Sequence, residues 1–494
     1  MKLRADELAE LSGGRLIYGS RDNTALDIKT DSREAGSGAL FLPVVGERTD
    51  GHLYLSDVVK SGASIVFTAR HRDMKELKAD EKLYGALLKR GEAISVISVS
   101  DTIKAIQKAA SNYRHKRLSE LPVVGVTGSV GKTTTREMTA CALSAEKRVF
   151  ATKGNKNSQI GVPMTVLDIA DEELAVLELG ISKPGEMKKI AAIASPDVAV
   201  MTNIGSSHIE YLGSRKNILK EKLRIVTGSK KPVKLVLNGD DELLSKVTRE
   251  RLPELSIDKE CVGDIIYCGF SEDCDVRGLE LELRDGRPEF TVAFYKRDKS
   301  GVLSKEPYKS FRLSLSTLGE HTALDALLAL GACEACGVDI EKACRALSGF
   351  KSLKGRGEIF EKDGIKVIND AYNASPDSMR AALSVLDSIS EADRRIAVLA
   401  DMRELGKDEA KLHEEIGDFI NEEIMYLDGL YLYGELARHI GERVEGDIKK
   451  RYFDDLESLY GFIKEEQRPG DVILYKGSNS MGLSGLIERL YGEG

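Results

Sequence analysis

No stretch of the chain approaches the roughly 18 apolar residues that a membrane-spanning helix requires, so the sequence does not read as a membrane protein. The start, Met1-Lys2-Leu3-Arg4-Ala5-Asp6-Glu7, carries charge where a secretory leader would carry an apolar core, and the expected location is cytoplasmic. An excess of basic residues is also missing. Lys and Arg number 72 against 80 Asp and Glu, a formal net charge of −8, which argues against a nucleic-acid binder that works by neutralising phosphates. A local basic cleft survives under such a total. Cysteine is scarce: the seven residues read, in a cytoplasmic chain, as free thiols and not as a disulfide framework. Cys333 and Cys336 form a C-x-x-C with Cys344 nearby, but a fourth zinc ligand is lacking. The pair sits on an Ala/Leu-rich helical stretch from Ala323, so it reads as small buried helix residues.

What is present is material for ordinary cores: 42% hydrophobic and 31% charged residues over 494 positions, enough for about three domains. The most informative segment is glycine-rich. Gly125-Val126-Thr127-Gly128-Ser129-Val130-Gly131-Lys132-Thr133-Thr134-Thr135 follows the apolar run Leu121 to Val124 and opens a helical pattern. Strand, tight loop and helix N-terminus in that order suit a nucleoside triphosphate. Glycines let the backbone approach the phosphates, N–H groups and the helix dipole face the anion, and Lys132 adds a point charge. Thr133 offers a hydroxyl for Mg2+. The strict pattern wants glycine where Val126 stands, and Gly128 supplies the flexibility instead. Thr127, Gly128, Ser129, Val130, Gly131, Lys132, Thr133 and Thr134 are the expected nucleotide-binding run.

Three domains are expected, at 1–97, 98–352 and 353–494. The first holds short elements and a dense cluster: Thr30-Asp31-Ser32-Arg33, then Gly46-Glu47-Arg48-Thr49-Asp50-Gly51-His52. A charged stretch, His71 to Lys89, separates it from a helix at Asp101 to Lys116. Strands Leu121–Val126, Leu174–Leu179, Asp197–Thr202, Val233–Leu237 and Ile265–Cys268 then alternate with helices at 132–145, 186–194, 214–227 and 241–249. Apolar strands alternating with helices mean a mostly parallel sheet covered on both faces. A β-rich insertion (Leu279 to Leu315) and a helical region (His321 to Leu347) follow. The last third repeats the α/β rhythm, with strands Ile365–Ile368, Arg395–Leu399, Gly429–Leu432 and Val472–Leu474 and helices near 376–387, 408–421, 454–465 and 481–491. Polar or glycine motifs follow each strand, where open parallel sheets bind ligands.

Several single residues carry chemistry on this reading. Glu178 ends an apolar strand beside the phosphate loop, a position for holding Mg2+ or water, although a solvated strand-end glutamate reads the same. His208 follows the strand Asp197–Thr202 and should converge on the same edge. Lys222 lies in a charged helix and, from its neighbours alone, reads as a surface lysine. Asn238 and Asp240 end another strand; they suit either contacts with an adenosine or a plain Asn-Gly-Asp turn. Arg356 is a candidate cation for phosphate, delivered from another domain.

Taken in order, these motifs resemble the Mur ligases of peptidoglycan synthesis over nearly the whole chain. The resemblance rests on G-V-T-G-S-V-G-K-T-T-T, G-N-K-N-S-Q-I-G-V-P (Gly154 to Pro163), L-E-L-G, N-I-G-S-S-H, L-N-G-D-D, K-G-R, V-L-A-D-M-R-E-L-G and Y-K-G-S-N-S-M. The run Asn369 to Leu383 is similar to the branch that adds D-alanyl-D-alanine to UDP-N-acetylmuramoyl-tripeptide. The resemblance implies an α/β fold of three domains: a small N-terminal domain for the UDP end of the substrate, a central parallel-sheet ATPase domain and a C-terminal Rossmann-like domain. It implies ATP-driven conversion of a peptide carboxylate to an acyl phosphate, which an amine then attacks. Lys132, Glu178, His208 and Lys222 would be the catalytic set. Two Mg2+ ions are implied, one on Thr133 and Glu178, the other on His208 and a carbamylated Lys222. Arg356, Asp370, Asn238 and Asp240 would meet ATP. Ser32, Arg33 and Gly46 would meet the uridine end, Asn155 and Asn157 the muramyl end, and Tyr372, Asn373 and Ser375 the incoming dipeptide. A monomer is expected. The family's G-x-H-N-x-x-N helix departs here to Gly319-Glu320-His321-Thr322-Ala323-Leu324-Asp325, so its adenine contacts are in doubt. Two readings compete: a sibling ligase that adds a single amino acid to a stem peptide or glutamate to folate, which the Tyr372 to Pro376 run argues against, and a non-ligating phosphate-loop switch or kinase.

Overall fold

Period-two alternation of fully apolar strands divides the centre of the molecule into two cores. In the computed structural model, which describes residues 1–46, 49–298 and 301–492, Val124, Val126 and Val176 face one core while Val123, Ala175 and Leu177 face the other. These strands belong to a nine-stranded sheet. Its order, in residues, is Lys309–Ser314, Arg287–Phe294, Val276–Arg284, Val262–Gly269, Val233–Asn238, Val198–Met201, Val123–Thr127, Leu174–Glu178 and Val149–Ala151. Pairing is parallel from Val149–Ala151 across to Val276–Arg284, and the last two strands are antiparallel. The segment Leu279 to Leu315 is β-rich as expected. It extends the central sheet, through Cys268 paired with Val276 and Gly269 with Arg277, and so covers what would be a bare edge.

A five-stranded sheet lies before it, ordered Arg15–Tyr18, Ser95–Ser98, Ile65–Thr68, Ala39–Phe41 and Asp27–Lys29. The charged stretch 71–89 does not separate this unit from the rest. It forms helices Met74–Ala79 and Glu81–Arg90, whose Leu77, Leu83 and Leu87 share a core with Phe41 and Val66. Asp101 caps the next helix, Thr102–Arg117, through the Lys104 N–H.

The six-stranded C-terminal sheet runs Glu358–Lys362, Ile365–Asp370, Asp471–Lys476, Arg394–Ala400, Gly429–Tyr433 and Lys449–Phe453, parallel from the second strand on. Asp370 and Lys476 end adjacent parallel strands, which carries both side chains to one edge. The helix expected at 241–249 is absent: that segment is a series of turns. Asp241 ties these turns together, its carboxylate taking the N–H groups of Leu243, Leu244 and Ile204. No helix among the described residues is long and apolar enough to cross a membrane.

Candidate active site

Gly128 and Gly131 shape the phosphate loop. Gly128 has φ 155° and a Cβ there would collide with the Thr202 side chain, while Gly131 has φ 81°. Helix Lys132–Leu143 starts at Gly131 without a side-chain cap, leaving its first N–H groups toward the cleft. Asn203 braces the loop, its carbonyl accepting from the Ser129 N–H (3.0 Å) and its Oδ1 from the Val130 N–H (2.9 Å). Lys132 Nζ donates back to the Gly128 and Ser129 carbonyls at 3.0 and 2.9 Å. Burial pushes its pKa down and Arg356 adds to this, against the opposite pull of Glu178. Gly131→Ala is expected to cost about 1–2 kcal/mol of stability for its left-handed backbone. Thermal unfolding and an ADP titration check it, the expectation being a lower melting temperature together with weakened ADP binding.

Glu178 is only 2% exposed, which removes the solvated alternative. Its Oε2 accepts from Thr133 Oγ1 (2.9 Å) and Arg136 (3.1 Å), and its Oε1 from Asn157 Nδ2 (2.7 Å). Lys222 is not a surface residue. It is 2% exposed, and Nζ donates to the Gly128 carbonyl at 2.7 Å. Burial, with the like charge of Lys132, holds its pKa far below the usual lysine range. His208 sits in the left-handed region, φ 62°. Burial and the charges of Lys132 and Lys222 bring its pKa down to about 4, so the imidazole is neutral at physiological pH. Its Nδ1 lies 3.8 Å from Glu404 of the C-terminal sheet's loops.

One cleft of about 1040 Å³ gathers these groups with residues of the C-terminal unit. Ser129 to Thr134, Glu178, His208, Asn155 and Asn157 line one side, and Arg356, Asp370, Tyr372, Asn373 and Ser375 the other. Arg356 stacks on Tyr372, 3.9 Å from the ring centroid. Lys476 pairs with Asp370 (2.5 Å) and donates to the Asn373 carbonyl (3.2 Å). Ser375 caps the helix Pro376–Ser388. The cleft thus combines anion-binding backbone, cations from two sheets and a buried carboxylate. That is the equipment for holding two negatively charged reactants together.

Comparison with known proteins places this arrangement. Successive family profiles match the chain: "Mur ligase family, catalytic domain" over residues 27–121, "Mur ligase middle domain" over 126–333 and "Mur ligase, glutamate ligase domain" over 355–479. The chain is 33% identical over 498 positions to the UDP-N-acetylmuramoyl-tripeptide–D-alanyl-D-alanine ligase of Bacillus subtilis, an alignment covering 99% of this chain and 98% of that protein. The chain belongs to the Mur ligase family. Among solved structures, this Mur ligase superposes on MurF from Acinetobacter baumannii with TM-score 0.80 at 28% identity, over 99% of each chain. It superposes on the MurF ligase of Thermotoga maritima in complex with ADP with TM-score 0.72 at 26% identity, over 94% of this chain and 96% of that one.

Not every expected residue of this Mur ligase gathers at the cleft. Asn238 and Asp240, expected beside ATP, form a hydrogen-bonded turn at the end of their strand. Asn238 Nδ2 donates to the Thr202 carbonyl (2.8 Å) and its Oδ1 accepts from the Asp240 N–H (2.9 Å). Asp240 clamps the N–H groups of Phe270 (2.7 Å) and Ser271 (2.9 Å). Neither lines the cleft, nor do Thr127, Gly128 and Lys222. Ser32, Arg33 and Gly46 belong to the first unit, beyond the ends of the paired parallel strands Asp27–Lys29 and Ala39–Phe41, and so share one sheet edge. Arg33 pairs with Asp31, whose carboxyl it holds down at about 2. Glu47 and Arg48 of that cluster lie outside the described residues. Asn203, Lys476, Glu404 and Asp325 were not singled out as site residues from the sequence. Each lies within a motif of the family resemblance, but none was assigned a role there.

Proposed function

We propose that this Mur ligase joins D-alanyl-D-alanine to UDP-N-acetylmuramoyl-tripeptide at the expense of ATP. The tripeptide carboxylate attacks the γ-phosphorus, a C–O–P bond forms and ADP leaves. The dipeptide amine then attacks the acyl carbon, an amide forms, phosphate departs and the amine proton passes to solvent. The observation that carries this is the shared cleft, where the phosphate-loop helix and the C-terminal residues Arg356, Asp370 and Tyr372 meet over one space. The names of the curated relatives support it, and the ADP-bound relative supports the nucleotide.

Lys132, the loop N–H groups and Arg356 neutralise the charge of ATP and carboxylate. Thr133 Oγ1 and Glu178 Oε2, 2.9 Å apart, are hard oxygen donors of the kind Mg2+ takes. Among the described residues no group of three or more His, Cys, Asp and Glu converges. A second Mg2+ on His208 and Lys222 therefore fits only if Lys222 supplies oxygen. Carbamylation does so: its amine attacks CO2, an N–C bond forms and a proton is released. A buried amine with a lowered pKa is poised for that attack. Bound Mg2+ would add further charge neutralisation around the phosphates.

The remaining assignments follow the same reading. Ser32, Arg33 and Gly46 hold the uridine end in a unit spanning 1–97. Asn155 and Asn157 hold the muramyl end in the ATP-binding unit 98–352. Tyr372, Asn373 and Ser375 receive the dipeptide in the unit 353–494. The enzyme acts as a monomer in the cytoplasm. A coupled phosphate-release assay with UDP-N-acetylmuramoyl-tripeptide tests the function. Release is expected only with D-alanyl-D-alanine present, and equal release with single amino acids would favour the sibling ligase.

A further inference from the structure

One carboxyl of the cleft lies where a negative charge is least favourable. Asp325, on the helix Glu320–Cys336, is buried and lines the cleft beside the phosphate loop. Its Oδ1 accepts from Thr135 Oγ1 at 2.6 Å and lies 3.0 Å from where a Cβ on Gly131 would sit. Among the described residues no cation pairs with it. On the phosphate-loop helix, Lys132 is bonded to loop carbonyls and Arg136 to Glu178 and the Gly154 carbonyl. On the packed strands, Lys234 reaches the Ala335 carbonyl and Arg277 stacks on Tyr295. His321, one turn earlier on the same helix, has its pKa lowered by burial, with Asp370 raising it and Lys476 lowering it further. Burial pushes the Asp325 carboxyl up to about 7, and only the Thr135 hydrogen bond works against that.

A nucleoside polyphosphate seated on the loop would bring more negative charge toward this group. The ionised form would then be disfavoured further, whereas the protonated form offers a hydrogen-bond donor. We propose that Asp325 contacts the nucleotide as the neutral carboxylic acid, so that nucleotide binding above neutral pH takes up one proton from solvent. The inference rests on the nucleotide reading given under Proposed function and identifies a residue that sets affinity within it.

The sign follows from linkage. Below about pH 7 the acid form is already present and affinity is flat. Above that, affinity falls by up to about tenfold per pH unit until the pKa of the complex is reached. The test is calorimetric titration with ADP and Mg2+ at about pH 6 and about pH 8, in buffers of different ionisation enthalpy. Wild-type protein is expected to take up more protons per ADP at the higher pH than Asp325→Asn does. The variant is expected to bind ADP with a flatter pH dependence and, at the higher pH, up to about tenfold more tightly than wild type. Equal proton uptake and equal pH slopes in the two proteins would overturn the proposal. The Asp325 carboxyl signal in wild-type protein gives a second readout that needs no variant: ADP should raise its titration midpoint, and an unmoved or lowered midpoint contradicts the proposal. No ADP binding at any pH overturns the nucleotide reading itself, and this inference with it.

Discussion

Lys132→Ala is expected to lower turnover by about 10²–10³-fold, the scale for removing one preorganised charge partner from a phosphoryl-transfer site. The same change should also move titrations elsewhere. The Lys132 charge contributes to the lowered pKa values of both His208 and Lys222. Removing a positive charge near a base stabilises its protonated form, so both midpoints should rise. His208, now at about 4, can be followed by NMR in metal-free protein. A normal rate together with an unmoved His208 midpoint would take Lys132 out of the site.

Lys222→Ala is the second large effect, expected to reduce turnover by at least about 10²-fold if the carbamate holds a charge-neutralising cation. Truncation leaves a cavity where the buried stem was, but Asn203 holds the loop independently through the Ser129 and Val130 N–H groups, so the loop should persist. ADP binding should therefore survive while turnover is lost. Wild-type protein equilibrated with isotopically labelled bicarbonate should show a carbamate carbon signal that the variant lacks. Unimpaired turnover in Lys222→Ala would remove this residue from the mechanism.

The inner parallel strands of both large sheets were legible because each is a continuous apolar run, the pattern that burial on both faces imposes, whereas the charged edge strands Glu358–Lys362 and Lys449–Phe453 were not. Asp471–Lys476, for example, is buried at every position. The strand Val149–Ala151 and the helix Gly161–Asp168 were not expected. The first is three residues long at a sheet edge, and the second opens inside a polar loop motif and carries Pro163 in its first turn. The site divides in the same way. The phosphate loop and Glu178 are local signals, a motif and a strand end. Arg356 was a candidate phosphate cation from its own motif, whereas Asp370 entered as an ATP contact only through the family resemblance. Lys222 shows how far local sequence misleads, since its neighbours are charged and yet its amine is enclosed under the loop. Asp325 and Asn203 belong to motifs of that resemblance, but they contact the loop from segments remote in sequence, so tertiary packing alone shows those contacts.

The central claim is that ATP and the tripeptide carboxylate meet in this cleft and that oxygen passes from carboxylate to phosphorus. The direct measurement is to label the tripeptide's reacting carboxylate with heavy oxygen, run one turnover with D-alanyl-D-alanine, and follow the label by phosphorus NMR. The released phosphate should carry one oxygen atom from the carboxylate. Unlabelled phosphate accompanying full amide formation would contradict the account.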